Sequence, residues 1–229
     1  MKKSSMTGNR GTRADGELTR ARILETAGQL FAAHGFAGTP SKTIAAQAEV
    51  DLASINYHFG SRHGLYQATL AEAHRRVMDI ASLRALADSP LSAEDKLHTL
   101  IRHLVDMSRS ERSGWHLTVL ATEFLAPSLH LETLFSQEVL PKALVLKQII
   151  AGITGMPEDN PALTRCAVSI LAPCLVLLLG GRGIPGPLQE LSRQPADAIV
   201  AHLYQFAMGG LRACSPTPAQ RELEDKPNA

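Results

Sequence analysis

Between Thr39 and Tyr66 the stretch TPSKTIAAQAEVDLASINYHFGSRHGLY gathers side chains suited to holding a nucleic acid without any cofactor. Thr39 and Ser41 sit where a short helix would start, and hydroxyls beside free backbone N–H groups at such a start bind phosphate well. Lys42 and Thr43 follow on the outer side of that helix. In a second short helix, Leu52, Ala53, Ser54 and Asn56 fall at the positions that meet base edges, and Asn pairs bidentately with adenine. Tyr57 and His58 at the end of that helix suit phosphate contacts, and Arg62 brings a further charge to the same backbone.

Other chemistries find little footing. His98 and His103 are five apart, off the i, i+4 spacing by which helical histidines share a metal, so they read as structural or surface residues. Cys166 and Cys174 are eight apart in an apolar run, where a buried thiol is ordinarily inert. Gly181-Arg182-Gly183-Ile184-Pro185-Gly186 matches G-x-G-x-x-G, but no strand alternates with helix around it, and Pro185 and Pro187 interrupt the turn. No H-E-x-x-H, G-x-S-x-G or P-loop pattern is present. We therefore expect no catalytic residue, no metal and no cofactor. The rival readings are a helical adaptor without specific DNA binding and, more remotely, a dinucleotide-binding enzyme.

The elements that must position these residues are helical. Aromatics make up only 4% of the 229 residues, and no segment alternates apolar and polar with β-branched residues. Residues 1–17 are Gly, Ser, Thr and charge, expected as a disordered basic arm. Ile23, Leu24, Ala27, Leu30 and Phe31 repeat at helical spacing over 18–34, and Gly35 ends the helix. Short helices over 41–48 and 52–58 flank Glu49-Val50-Asp51, the spacing of a helix-turn-helix. Ser61 caps a longer helix over 62–86, and amphipathic patterns recur over 92–110, 115–125, 130–154, 161–179 and 195–213. About nine helices result. The expected division is an arm (1–17), a helix-turn-helix domain (18–64), a larger helical domain (65–214) and a flexible tail (215–229).

Charge supports that division: of 23 Lys/Arg and 22 Asp/Glu, residues 1–76 hold 10 and 6, leaving 13 and 16 for the remainder. The N-terminus has no apolar stretch behind its charges, and the apolar run 166–179 is shorter than a bilayer requires and contains Pro173. With three unevenly placed cysteines, the expectation is a cytoplasmic protein with no membrane partner.

The segments RARILETAGQLFAAHGF, Thr39 to Ile44, AAQAEV and INYHFGSRHGLY occur in order over about residues 18–70, and together this part resembles the DNA-binding domain of the TetR/AcrR family. Two departures stand out: Glu49 occupies a turn position where the family usually has Gly, and Arg62 replaces the commoner Lys. Asn56 to Gly60, Glu123 to Ser128 and Glu138 to Pro141 are similar to the CecR-like branch, over most of residues 90–213. The resemblance implies a homodimer bound to double-stranded operator DNA, a ligand-released repressor and a small-molecule effector. It implies an effector pocket in the middle helices, for which Met107, Trp115, His116, Glu123, Phe124 and Phe135 are candidates. It further implies a dimer interface on the last two long helices, with Val168, Leu171, Leu175, Leu178, Ile199, Leu203 and Phe206 as candidates.

Overall fold

The computed structural model describes residues 8–110, 114–180 and 186–216, with side chains from residue 14 onward except that of residue 180. Within them the regular elements are α1 (Gly8–His34), α2 (Ser41–Gln47), α3 (Leu52–Phe59), α4 (Arg62–Val77), α5 (Ile80–Ala87), α6 (Ala93–Arg109), α7 (Trp115–Leu125), α8 (Leu131–Leu134), a π-helical turn (Phe135–Val139), α9 (Leu140–Thr154), α10 (Pro161–Gly180), α11 (Pro187–Arg193) and α12 (Ala196–Cys214). The all-α expectation holds, with α11 as an added helix and three boundaries that differ.

Residues 8–17 of the expected arm are helical, continuous with α1. Once the packed part of a helix is formed, each added residue costs little, and no Pro interrupts the extension. The helix expected over 62–86 is broken at Met78-Asp79, because the Asp79 carboxylate accepts from the Ser82 backbone N–H at 3.0 Å and starts α5. The helix expected over 130–154 is interrupted by the π-helical turn, just where Pro141 enters the first turn of α9. Proline has no N–H for a carbonyl four residues earlier, so the ladder shifts there.

By internal packing the described residues form two units, 8–76 with 114–134, and 77–110 with 135–180 and 186–216. This division departs from a boundary at 64/65, since 65–76 and 114–134 pack with the N-terminal helices. In the first unit Ile23, Ala27, Phe31, Ile44, Ile55, Leu65 and Leu70 are buried in one core. α1 packs closely on α7 at Gly28, where a Cβ would lie 2.3 Å from the Trp115 ring. The Trp115 indole N–H donates to Glu25 at 2.9 Å, and Arg76 lies over the same ring at 4.8 Å while pairing with Glu25 at 2.8 Å and Glu72 at 3.0 Å. Burial opposes ionisation of Glu25, but the bonds from Arg76 and Trp115 prevail and hold its carboxyl below the usual range.

In the second unit α6 is the central element, burying Leu97, Leu100, Ile101, Leu104 and Val105 against α9, α10 and α12. Ser92 caps α6, accepting from the Asp95 N–H at 3.1 Å while donating to its carboxylate at 2.6 Å. Lys142 is buried and pairs with Glu138 at 2.8 Å. Residues Pro161–Leu179 of α10 form a segment of mean hydropathy 2.1, long and apolar enough to cross a membrane by length and composition, which corrects the shorter count 166–179. Only 39% of that segment is buried within the fold.

Candidate nucleic-acid interface

The helix-turn-helix is built as its spacing predicts. α2 buries Ile44 and Ala45 and exposes Lys42, Thr43, Ala46 and Gln47. The turn is made by Glu49, whose φ of 52° places it in the left-handed region. Among the described residues it is the one non-glycine there, and a side chain in that region costs about 1–2 kcal/mol. Asp51 then caps α3, its carboxylate accepting from the Ser54 N–H at 2.7 Å and from the Ser54 hydroxyl at 2.6 Å. These bonds hold the Asp51 carboxyl below its ordinary pKa.

On α3, Ile55 turns into the core while Leu52, Ala53, Asn56 and Tyr57 are exposed, with Tyr57 at 85%. Their i, i+1, i+4, i+5 spacing puts them on one helix face. His58 is half-buried and edge-on to Tyr57, with ring centres 4.9 Å apart. Ser54 is half-buried and its hydroxyl hydrogen is committed to Asp51, leaving only its lone pairs for another partner. Ser41 is half-buried at the first residue of α2.

Two expected phosphate ligands are oriented otherwise. Thr39 is 1% exposed, and its hydroxyl donates to the Gly35 carbonyl at 2.8 Å and lies 3.2 Å from that of Leu30. It ties the turn after α1 back onto the helix's last turn. Arg62 is also turned inward: it donates to the Phe36 carbonyl and its guanidinium lies 4.2 Å over the Phe36 ring. Its role in the structure is to tie the start of α4 to the end of α1.

Behind Arg62 lies a cluster of rings that pattern reading missed. Phe36 packs on Tyr66, His63 and His130, and the two imidazoles approach with Nδ1 of His63 3.2 Å from Nε2 of His130. The Tyr66 hydroxyl donates to Glu123 at 3.0 Å, and Glu123 also accepts from the Ser128 N–H and hydroxyl at 2.9 and 2.7 Å. Burial first, and then the Glu123 charge, raise the Tyr66 pKa well above its usual value. The His130 pKa is lowered by burial and by His63, against a weaker pull from Glu123.

Of the expected effector-pocket residues, Trp115, His116 and Glu123 are buried in the first unit, Trp115 and Glu123 within the bonds just described. Neither ring nitrogen of the buried His116 has a partner. Phe124 and Phe135 are 67% and 52% exposed, and Met107 is half-buried in the second unit. The expected interface residues divide as well. Val168, Leu175 and Phe206 are exposed, Leu171 and Leu203 half-buried, but Leu178 and Ile199 are buried in the unit's own core. Residues 1–7, Gly181 to Pro185 and the tail from 217 lie outside the described residues.

Comparison with known proteins places both parts of the chain. Residues 23–69 match the family described as bacterial regulatory proteins of the tetR family. Residues 93–211 match the C-terminal domain of the HTH-type transcriptional dual regulator CecR. The HTH-type transcriptional regulator YttP of Bacillus subtilis (strain 168) is 24% identical over 132 residues, 58% of this chain and 60% of that protein's length. A protein of Pseudomonas aeruginosa PAO1 described as a transcriptional regulator superposes with a TM-score of 0.70 at 18% identity, covering 93% of this chain and 98% of that one. The Bacillus subtilis regulator FadR, solved with stearoyl-CoA, gives 0.65 at 15% identity, covering 83% of this chain and 98% of its own.

Proposed function

The chain belongs to the TetR family of bacterial transcriptional regulators, with a CecR-type C-terminal domain, and from that premise we propose that it binds a pseudo-palindromic operator as a homodimer and is released by a small-molecule effector. The observation that carries the reading is the exposed face of α3, where Leu52, Ala53, Asn56 and Tyr57 stand free beside Lys42 and Thr43 of α2. A helix so placed lays its N-terminal residues against base edges in the major groove, while the cation and hydroxyls hold phosphates. Ser41, Ser54 and His58 contribute where their remaining lone pairs and rings reach the duplex.

Dimerisation is supported by the exposed apolar residues of α10 and α12, Val168, Leu175, Val176 and Phe206, which a partner copy would cover. One short helix-turn-helix buries little DNA, and two linked half-sites multiply affinity. An effector that prefers the protomer spacing unable to span two half-sites releases the operator, because linkage is reciprocal. The stearoyl-CoA of the FadR structure makes long-chain acyl-CoA a reasonable first ligand to assay. The site of action is then the cytoplasm, where operator DNA is.

The test is selection of bound sequences from a random duplex pool, read beside the protein's mass in solution. A palindrome enriched by a dimer is the expected result. Failure to enrich any motif at low salt would return weight to a helical adaptor.

A further inference from the structure

A groove of about 310 Å³ runs between α10 and α12, lined by Arg165, Cys166, Ser169, Phe206, Gly210 and Cys214 among others. It holds two of the three cysteines of the chain. Cys166 is buried in the groove, whereas Cys214 is exposed at the last residue of α12. Both thiols line this one groove, and burial first, then the neighbouring Cys214, raise the Cys166 pKa, with Arg165 offsetting part of it. The flank of α12 beside Cys214 is open: a Cβ at Gly209 or Gly210 would meet nothing within 4 Å.

Cys174 is differently placed. It is buried about two turns along α10, its thiol bonded to the Ile170 carbonyl at 3.5 Å and pushed up to about 11 by burial. Cys166 and Cys214 line one groove because α10 and α12 pack side by side.

We propose that Cys166 and Cys214 are a dithiol modification site that closes into a reversible intramolecular disulfide, joining α10 to α12, when a hydroperoxide reaches it. Cys214 is the accessible sulfur and reacts first. Its sulfur attacks one peroxide oxygen, the O–O bond breaks, and a sulfenic acid and water (or the alcohol) form. The Cys166 sulfur then attacks the Cys214 sulfur, the S–S bond forms as the S–O bond breaks, and the departing hydroxide takes the Cys166 proton as a second water. One peroxide is reduced by two electrons and two thiols are oxidised by two. A dithiol reductant reverses the bond by exchange. Cys214 sits at a helix end, where fraying lets the two sulfurs reach bonding distance.

The site stands independently of DNA binding, although the bond would fix the spacing of the two helices assigned to dimerisation. The test uses the full-length protein, reduced and then exposed to graded hydrogen peroxide, followed by intact mass and peptide mapping without reductant. The expected result is a loss of about 2 Da, reversed by dithiothreitol, with a Cys166–Cys214 cross-linked peptide and Cys174 still alkylated after unfolding. Cys214→Ser and Cys166→Ser each abolish the loss, and Cys174→Ser keeps it. Because Cys214 is exposed, its serine variant reports even if Cys166→Ser folds poorly. A disulfide between two chains through Cys214, a Cys166–Cys174 bridge, oxygen adducts on Cys214 alone, or no change in mass would each overturn the proposal.

Discussion

At the residue scale, Asn56 and Arg62 are only six positions apart and have opposite fates. Asn56 is exposed on α3 and free to read a base, so Asn56→Ala should lower discrimination at one base pair by about 1–3 kcal/mol in binding assays on operator variants. Arg62 is held by Phe36, so Arg62→Ala should lower the unfolding midpoint by losing a cation–π contact of about 1 kcal/mol. It should leave the salt dependence of binding nearly unchanged, whereas Lys42→Ala reduces that slope by about 1. His116 and His130 carry a pH dependence. Burial lowers both pKa values below the ordinary 6.5, helped by the positive Arg76 near His116, so the unfolded chain takes up these protons first. Their contribution to stability is complete above that value and is lost as pH falls below it. Urea midpoints across pH 5 to 8 should fall on the acid side, and less so in His116→Leu, which also removes a buried imidazole with no partner. A midpoint equally acid-sensitive in that variant would rule His116 out as a source.

At the scale of elements, the first unit depends on how closely α1 and α7 approach. Trp115 is fixed by Glu25 on one edge and Arg76 on one face, and so has little room to yield. Gly28→Ala places a methyl against that ring at 2.3 Å and should cost about 1–3 kcal/mol of overpacking. The denaturant midpoint should fall with little change of slope, and the emission of the lone tryptophan should shift. The same scale explains the helix breaks. Asp79 and Pro141 each redirect a backbone hydrogen bond, and neither disturbs the apolar periodicity by which the longer helices over 62–86 and 130–154 were expected.

At the scale of the molecule, exposure divides the apolar side chains of α10 and α12 into those open to a partner copy and those in the core. Val168 is 62% exposed, so Val168→Glu leaves the protomer's packing nearly intact but places a charge where a partner would cover it. Sedimentation should show a shift from dimer to monomer, with operator affinity falling in parallel and the helical circular dichroism retained. Leu178→Glu, by contrast, should unfold the second unit, because Leu178 is buried within it.

Apolar periodicity and turn residues, which are local properties, carried most of the fold: the all-helical class, the two short helices expected over 41–48 and 52–58 and found at 41–47 and 52–59, and, apart from the break at 135–139, the long helices after residue 92. The exposure of Asn56, Tyr57 and Lys42 was likewise legible, because a short amphipathic helix with one buried stripe leaves its other positions exposed. Orientation at the helix ends was not. Thr39 and Arg62 have the right chemistry for phosphate, yet the carbonyls of Leu30 and Gly35 and the Phe36 ring claim them first. The turn position of Glu49 was marked by the resemblance, but the ring cluster of Phe36, His63, Tyr66 and His130 and the Cys166–Cys214 pair join residues that no periodicity encodes. Sequence spacing sets which face of a helix a residue occupies. Only the packing of helices distant in the chain decides what that face meets.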